Sequence, residues 1–414
     1  MTAKAPAPEP ATLKPAAAKP PTPTPATAKQ AAPKPVTSKP AAPKPPTPKA
    51  QAQGKAAAKP RAAAKRRTPP ADAATAAVQD RPESTPGHRR IWISGATGFV
   101  GSQVARVLRM RGDEVLAPVR DARRAGELID MGVTVIEDDL QDVDRLAETM
   151  RDVDAVIHAA GSYRVGITRE ERGAMWDANI GTTTRVLDAA ELARAPKIVY
   201  VSTVGVFGNT KGNVVDETYR RNIREGFLGW YDETKFGAHE VALQRSRAGA
   251  PIVFVLPSQV YGPGDRSAIG EQLAMAYGGT LPYRALQSVG LGFVHVDDLA
   301  IGIVAALDAG TPNRAYVLSG PRHRLGEALG IASRLGRHRL PRMALPDAFL
   351  RLMAPAGKLI GQPNLQEVVS SSAGVTYWAS NERAARELDW HPRELEDGLR
   401  DTFETLADRA YTRS

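Results

Sequence analysis

Ile91-Trp92-Ile93-Ser94-Gly95-Ala96-Thr97-Gly98-Phe99-Val100-Gly101 decides the fold of this chain. A short apolar run enters a turn with three glycines. Beyond it Val100, Val104, Val107 and Leu108 recur at helical spacing, so the stretch reads as strand, turn, helix. Each glycine has a reason in that context. Gly95 permits the tight turn, Gly98 lets backbone approach a pyrophosphate, and Gly101 lets the helix pack closely on the strand. The helix start offers free N–H groups and a partial positive charge to phosphates. Thr97, Phe99 and Val100 complete the loop that a dinucleotide would touch.

Working outward, Glu114–Val119 reads as a second strand and Val133–Glu137 as a third, after a helix over Arg123–Met131. Val153–His158, Lys197–Ser202 and Ile252–Leu256 read as the fourth, fifth and sixth. A long helix with Trp176, Ile180, Val186 and Leu187 on its apolar side separates the fourth from the fifth, and a helix carrying Lys235 precedes the sixth. Strands alternating with helices at this spacing imply an α/β fold with a doubly wound parallel sheet of the Rossmann type. Beyond Pro257 the alternation fades into loops, short helices and a final amphipathic helix, Leu395–Ala407. The expected organisation is a tail over 1–87, an NAD(P)-binding domain over 88–256, and a smaller C-terminal substrate-binding region over 257–414 interleaved with the core.

Composition sets the tail apart. Residues 1–87 are mostly Ala, Pro, Lys and Thr, with Ala-Ala-Pro-Lys-Pro at 31–35 and again at 41–45. Such a stretch has too little apolar surface to offset the entropy of ordering, so it reads as disordered, extended and polyproline-like. Residues 1–70 hold fourteen Lys and Arg against one acid, Glu9, so the net charge of +10 belongs to the tail and the remainder is slightly acidic. A solvated linker is one reading. Weak, sequence-blind electrostatic contact with nucleic acid or an anionic membrane is the other. The chain has no cysteine, which excludes disulfides, thiolate metal sites and a cysteine nucleophile. With no long apolar run and no signal-peptide pattern, a cytoplasmic protein is expected, peripheral membrane contact being left open.

Chemistry-bearing residues follow the strand ends. An acid after the second strand would hold the ribose 2′-hydroxyl of NAD. Arg120 stands there, with Arg123 and Arg124 behind it, and cations suit the 2′-phosphate of NADP. NADP(H) is therefore preferred and NAD(H) stays open. Asp139-Leu140, after the third strand, is placed to meet the adenine, although Asp139 could equally cap the next helix. His158-Ala159-Ala160-Gly161 closes the fourth strand with small residues that let backbone lie against the nicotinamide-side ribose. His158 itself reads as a packed strand-end residue rather than a proton carrier.

Tyr231 and Lys235 stand at i and i+4, on one face of a helix. A phenol is a weak acid–base group at neutral pH, and a neighbouring ammonium draws its pKa towards the working range. Lys235 can also hold the ribose hydroxyls. Thr203, in Val201-Ser202-Thr203-Val204-Gly205, lies just past the fifth strand, where a hydroxyl points into the ligand crevice of such a sheet. Thr203 then orients the substrate oxygen while Tyr231 exchanges its proton.

These motifs, in this order, resemble the extended (atypical) short-chain dehydrogenases/reductases, the NAD-dependent epimerase/dehydratase family. The resemblance spans about 90–407. It takes in Asn179-Ile180-Gly181-Thr182, Tyr231-Asp232-Glu233-Thr234-Lys235, Pro257-Ser258-Gln259-Val260-Tyr261-Gly262-Pro263-Gly264-Asp265 and Phe293-Val294-His295-Val296-Asp297-Asp298-Leu299-Ala300. It implies Thr203, Tyr231 and Lys235 as the catalytic set with Asn179 supporting a lysine–water relay, cofactor contacts from Pro257, Gln259 and Val260, and in many members a homodimer through four helices. Nucleotide-sugar members have Arg-Tyr-Phe-Asn where Leu256, Pro257, Ser258 and Gln259 stand here. The Pro-Ser form looks like the dihydroflavonol-reductase and 3β-hydroxysteroid-dehydrogenase branch.

The expected activity is NADP(H)-dependent interconversion of a carbonyl and a secondary alcohol on a small or lipophilic substrate. Two readings stay open beside it: a nucleotide-sugar epimerase/dehydratase with tightly bound NAD, and a catalytically inactive dehydrogenase fold used for binding or regulation. The segment from Met343 to Ile360 reads as core or substrate lid, with a membrane-surface helix as its alternative. His295, Asp297 and Asp298 lack the spacing of a metal triad, and no metal is expected.

Overall fold

The computed structural model describes residues 88–163, 167–360 and 364–411. The expected disordered tail, 1–87, lies outside them. Seven parallel strands form one sheet in the order β3-β2-β1-β4-β5-β6-β9: β1 (Arg90–Ser94), β2 (Glu114–Val119), β3 (Thr134–Glu137), β4 (Ala155–His158), β5 (Ile198–Val201), β6 (Ile252–Pro257) and β9 (Ala315–Leu318). This is the doubly wound Rossmann arrangement expected from the sequence. The order reverses between β1 and β4, where such sheets open a crevice at their C-terminal ends.

Side chains alternate across β1. Ile91 and Ile93 join a core with Val104 and Leu108 of helix Phe99–Met110 and Ile303 and Leu307 of helix Val296–Ala309. Trp92 faces the opposite layer with Leu146, Val186, Leu187 and Phe254. Both faces are thus covered by helices, which explains why the strands read as unbroken apolar runs rather than alternating ones.

The seventh strand departs from the sequence reading. After helix Val296–Ala309 the chain returns to the sheet, and Ala315–Leu318 pairs in register with Phe254–Pro257. A four-residue apolar run after a polar loop is too short for periodicity to announce. A second sheet, β10-β8-β7, joins β7 (Gln259–Tyr261), β8 (Gly290–His295) and β10 (Arg322–Arg324). The final helix is present over Leu395–Tyr411, with Leu395, Leu399 and Phe403 packed inward.

Two helices also differ. The one expected over 123–131 is a 3₁₀ turn, Ala122–Arg124, then a short helix, Gly126–Asp130; the Asp121 side chain accepts the Arg123 N–H and starts the tighter turn. The long helix before β5 consists of Arg172–Trp176, a π turn over Asp177–Gly181, and Thr182–Leu192. The wider turn shifts the helical phase. Met175 is buried and Trp176, expected on the apolar face, is 48% exposed.

The Met343–Ile360 segment is neither one helix nor wholly core. Helix Asp347–Met353 and helix Leu365–Ser372 share a small core of Leu350, Ala354, Val369 and Ala373, against which Leu286 packs. This unit roofs the crevice. Phe349 and Leu352 stay on its exposed side. Among the described residues no helix is long and apolar enough to cross a membrane.

Candidate active site

A cleft of about 1800 Å³ runs along the C-terminal ends of the strands, from the glycine turn to the roof. Gly95, Thr97, Gly98, Phe99, Val100 and Gly101 line one end of it. Gly95 has φ +77°, and a Cβ there would lie 2.8 Å from the Ala160 nitrogen, so glycine lets the turn abut the 158–161 backbone. At Gly101 a Cβ would collide with the Gly95 carbonyl and lie 2.7 Å from its carbon. Helix Phe99–Met110 has no side-chain cap and no acid in its first turn. Its N-terminal N–H groups and positive dipole end are thus left facing the cleft, as a pyrophosphate requires.

Helix Trp230–Arg247 brings Tyr231 and Lys235 to the cleft, which Thr203 also lines. The start of this helix is anchored by Arg221, which pairs with Asp232 through two bonds of 2.7 and 2.9 Å, both side chains being buried. Thr203 caps the turn after β5, its Oγ1 accepting the Gly205 N–H at 3.1 Å. Tyr163 stands edge-on to Tyr231 with ring centroids 4.9 Å apart.

Burial pushes the Tyr231 phenol up, Tyr163 adds to the rise, and a hydrogen bond with Thr203 pulls the other way. Burial also draws the Lys235 amine down to about 8. The sequence reading expected the lysine to lower the phenol. In the structure the downward pull comes from Thr203, and desolvation outweighs it.

Asn179 sits in the π turn, 1% exposed. Its Oδ1 accepts the Ser162 N–H at 2.8 Å and its Nδ2 donates to Thr234 Oγ1 at 3.0 Å. A Cβ on Gly161 would lie 3.2 Å from Asn179 Oδ1 and 3.3 Å from Lys235 Nζ, so this glycine lets both approach the backbone.

His158 is fully buried between Ser94 Oγ at 2.7 Å and Thr183 Oγ1 at 3.0 Å. Burial, then the Lys235 charge, lowers it to about 3, so it is neutral at physiological pH. Ser94 in turn accepts the Ala160 N–H at 3.3 Å. A ligand contact from His158 would therefore come through its backbone, while Ala159 and Gly161 line the cleft directly.

The cation cluster is spread out. Arg120 is exposed past the end of β2, Arg123 pairs with Asp121 at 2.9 Å, and Arg124 lines the cleft. Asp139 is exposed and accepts the Gln141 N–H at 3.1 Å, and Leu140 has φ +63°, so this pair turns the chain after β3. Pro257, Gln259 and Val260 line the cleft. His295, Asp297 and Asp401 bring ligand-type atoms within 4.8 Å of one another. Arg393 already donates to Asp401 at 2.7 Å and clamps Asp298, while His295 Nδ1 accepts the Asp297 N–H and starts a helix. A guanidinium thus supplies the positive charge there.

The same cleft is also lined by Leu286, Val289, Leu291, Leu325, Val368 and Tyr377, an apolar group. None of these was singled out from sequence. They share no motif, and only the folding of 257–377 over the strand ends brings them together. Glu367 was missed for the same reason.

The sequence pattern described as "NAD dependent epimerase/dehydratase family" matches residues 91–319. A Synechocystis sp. protein provisionally assigned as a dihydroflavonol 4-reductase is 27% identical, covering 78% of this chain and 96% of its own. The 2-alkyl-3-oxoalkanoate reductase of Stenotrophomonas maltophilia is 28% identical over 75% of this chain and 97% of its own. Among solved structures, DesIV, a dTDP-glucose 4,6-dehydratase from Streptomyces venezuelae with NAD bound, shares the fold. Its TM-score is 0.63 at 21% identity, over 78% of this chain and 98% of that one.

Proposed function

We propose, for a chain that belongs to the NAD dependent epimerase/dehydratase family, that it interconverts a carbonyl and a secondary alcohol on a small or lipophilic substrate. The family makes it an NAD(P)-dependent oxidoreductase of the extended short-chain dehydrogenase/reductase type. One observation carries the finer reading. Thr203, Tyr231 and Lys235 line a cleft that also takes in the uncapped Gly95–Gly101 helix start and an apolar group of side chains.

A nicotinamide cofactor held by the Gly95–Gly101 turn would supply or accept the hydride. The chain does the rest. Thr203 holds the substrate oxygen and its hydrogen bond favours the phenolate, Tyr231 O–H donates its proton to that oxygen on reduction and recovers it on oxidation, and the Lys235 ammonium holds the ribose. Arg124 in the cleft and Arg120 nearby favour the extra phosphate of NADP(H). Leu286, Val289, Leu291 and Leu325 favour an apolar substrate body. A homodimer and a cytoplasmic location belong to the same proposal. So does peripheral membrane contact through exposed Phe349 and Leu352 beside Arg342 and Arg351.

A second reading, nucleotide-sugar chemistry with retained NAD, draws on Gln259 and Arg266 in the cleft, which could meet a diphosphate. The deciding experiment offers the purified protein NADPH or NADH with a panel of apolar ketones. Turnover with NADPH favoured, and weakened selectively by Arg124→Ala, supports the reductase. Copurified NAD that does not exchange, with no ketone turned over, overturns it.

A further inference from the structure

Helices need partners for their first N–H groups, and these commonly come from the residue at the N-cap. Helix Trp230–Arg247 has Gly229 at that position, with no side chain to offer. The partner arrives from 137 residues further along the chain: Glu367 Oε1 accepts the Trp230 N–H at 2.6 Å. Gly229 is required by this contact, since a Cβ there would lie 2.6 Å from the same oxygen. Two further bonds fix the neighbourhood. Ser370 Oγ donates to the Leu228 carbonyl at 2.8 Å, and Trp230 Nε1 donates to the Arg172 carbonyl at 3.1 Å.

The capping carboxylate belongs to the roof. Helix Leu365–Ser372 lines the cleft through Glu367, Val368, Ser371 and Ser372. Tyr231 is the second residue of the helix that Glu367 caps. The element that encloses the substrate therefore also holds the turn that aims the phenol. A carboxylate at a helix N-terminus is favourable, and fraying is concentrated in the first turn, where Tyr231 lies.

We infer that Glu367 is a positioning residue: by capping the helix from the roof it fixes Tyr231 against Thr203. The inference rests on the reaction proposed above. It predicts that a loosened cap lowers the rate of the proton-transfer step more than it weakens substrate binding, because a small misplacement of a reacting group is costly.

Hydrogen–deuterium exchange of the full-length protein tests the cap without any substrate. Exchange at Trp230 should speed up in Glu367→Ala, and an unchanged rate overturns the inference even if the proposed reaction is right. With an accepted ketone, Glu367→Ala should lower kcat about tenfold or more while KM hardly moves. Glu367→Gln should restore kcat, since its amide oxygen can accept the same N–H. Gly229→Ala should reproduce Glu367→Ala by displacing the carboxylate. A rise in KM with kcat intact, or a Gln variant as impaired as the Ala variant, overturns the positioning role. If the wild-type protein turns over no ketone, the proposed reaction fails, and the exchange experiment still decides on Glu367.

Discussion

The glycine-turn end of the cleft, where the proposed nucleotide would lie, and its roof are built by opposite means. At the glycine-turn end the ligand would meet backbone, and the sequence must supply absences: no Cβ at Gly95 or Gly101, no cap and no acid at the start of helix Phe99–Met110. At the roof it would meet side chains such as Leu286, Val289 and Val368, whose identity matters less than their bulk. A site made of backbone tolerates almost no substitution, whereas one made of apolar side chains tolerates many.

The largest effect expected belongs to the tyrosine proposed as general acid. Tyr231→Phe should cut turnover by about 10²–10⁴-fold, the usual worth of a general acid, with NADPH affinity and melting temperature nearly unchanged. Wild-type turnover by this variant would end the mechanism.

Next comes a matched pair of small changes. Gly101→Ala adds one carbon against the Gly95 carbonyl and should weaken cofactor binding severely, with a stability loss of about 1–3 kcal/mol from overpacking. Val368→Ala removes two carbons from the roof and should mainly raise KM. Isothermal titration and thermal melts of both variants check this. Equal damage to cofactor affinity from the two would break the comparison.

A smaller effect sharpens it. The Thr203 hydrogen bond lowers the Tyr231 pKa, so Thr203→Val should raise it. Alcohol oxidation needs the phenolate, so its rising limb should move to higher pH in rate–pH profiles. A limb that stays put would mean that Thr203 only orients substrate.

The smallest expectation concerns the tail. Deleting residues 1–80 should leave activity and melting temperature unchanged, because every residue assigned to the cleft lies beyond it. Any binding to DNA or anionic vesicles should be lost with the tail and should fade between low and physiological salt. Loss of activity on truncation would move the domain boundary.

Legibility in the sequence follows the same division. Six strands, the glycine turn and the Tyr231–Lys235 face were readable because each is encoded within a few neighbouring residues. The seventh strand was not, since Ala315–Leu318 becomes a strand only by pairing with Phe254–Pro257. Glu367 was not, since nothing local distinguishes a carboxylate destined to cap a helix 137 residues away. Arg120, Arg123 and Arg124 read as a phosphate-binding group from their place after β2, and of these three Arg124 lines the cleft. The 3₁₀ turn that carries Arg123 and Arg124 is started by an Asp121 side-chain hydrogen bond, which periodicity does not register.

The π turn at Asp177–Gly181 makes the winding of the helix itself a constraint. Arg185 grips Asp177 through bonds of 2.9 and 3.1 Å, and Gly181 leaves the room that this carboxylate occupies. The wide turn is thereby stapled, and Asn179 faces Ser162 and Thr234 because of it. Winding the same residues as ordinary helix, with none removed, would swing one side of the junction by about 100° relative to the other. Either Asn179 would leave Ser162 and Thr234, or Arg172 would leave Trp230. The Asp177, Gly181 and Arg185 contacts therefore hold the phase of one half of this helix against the other.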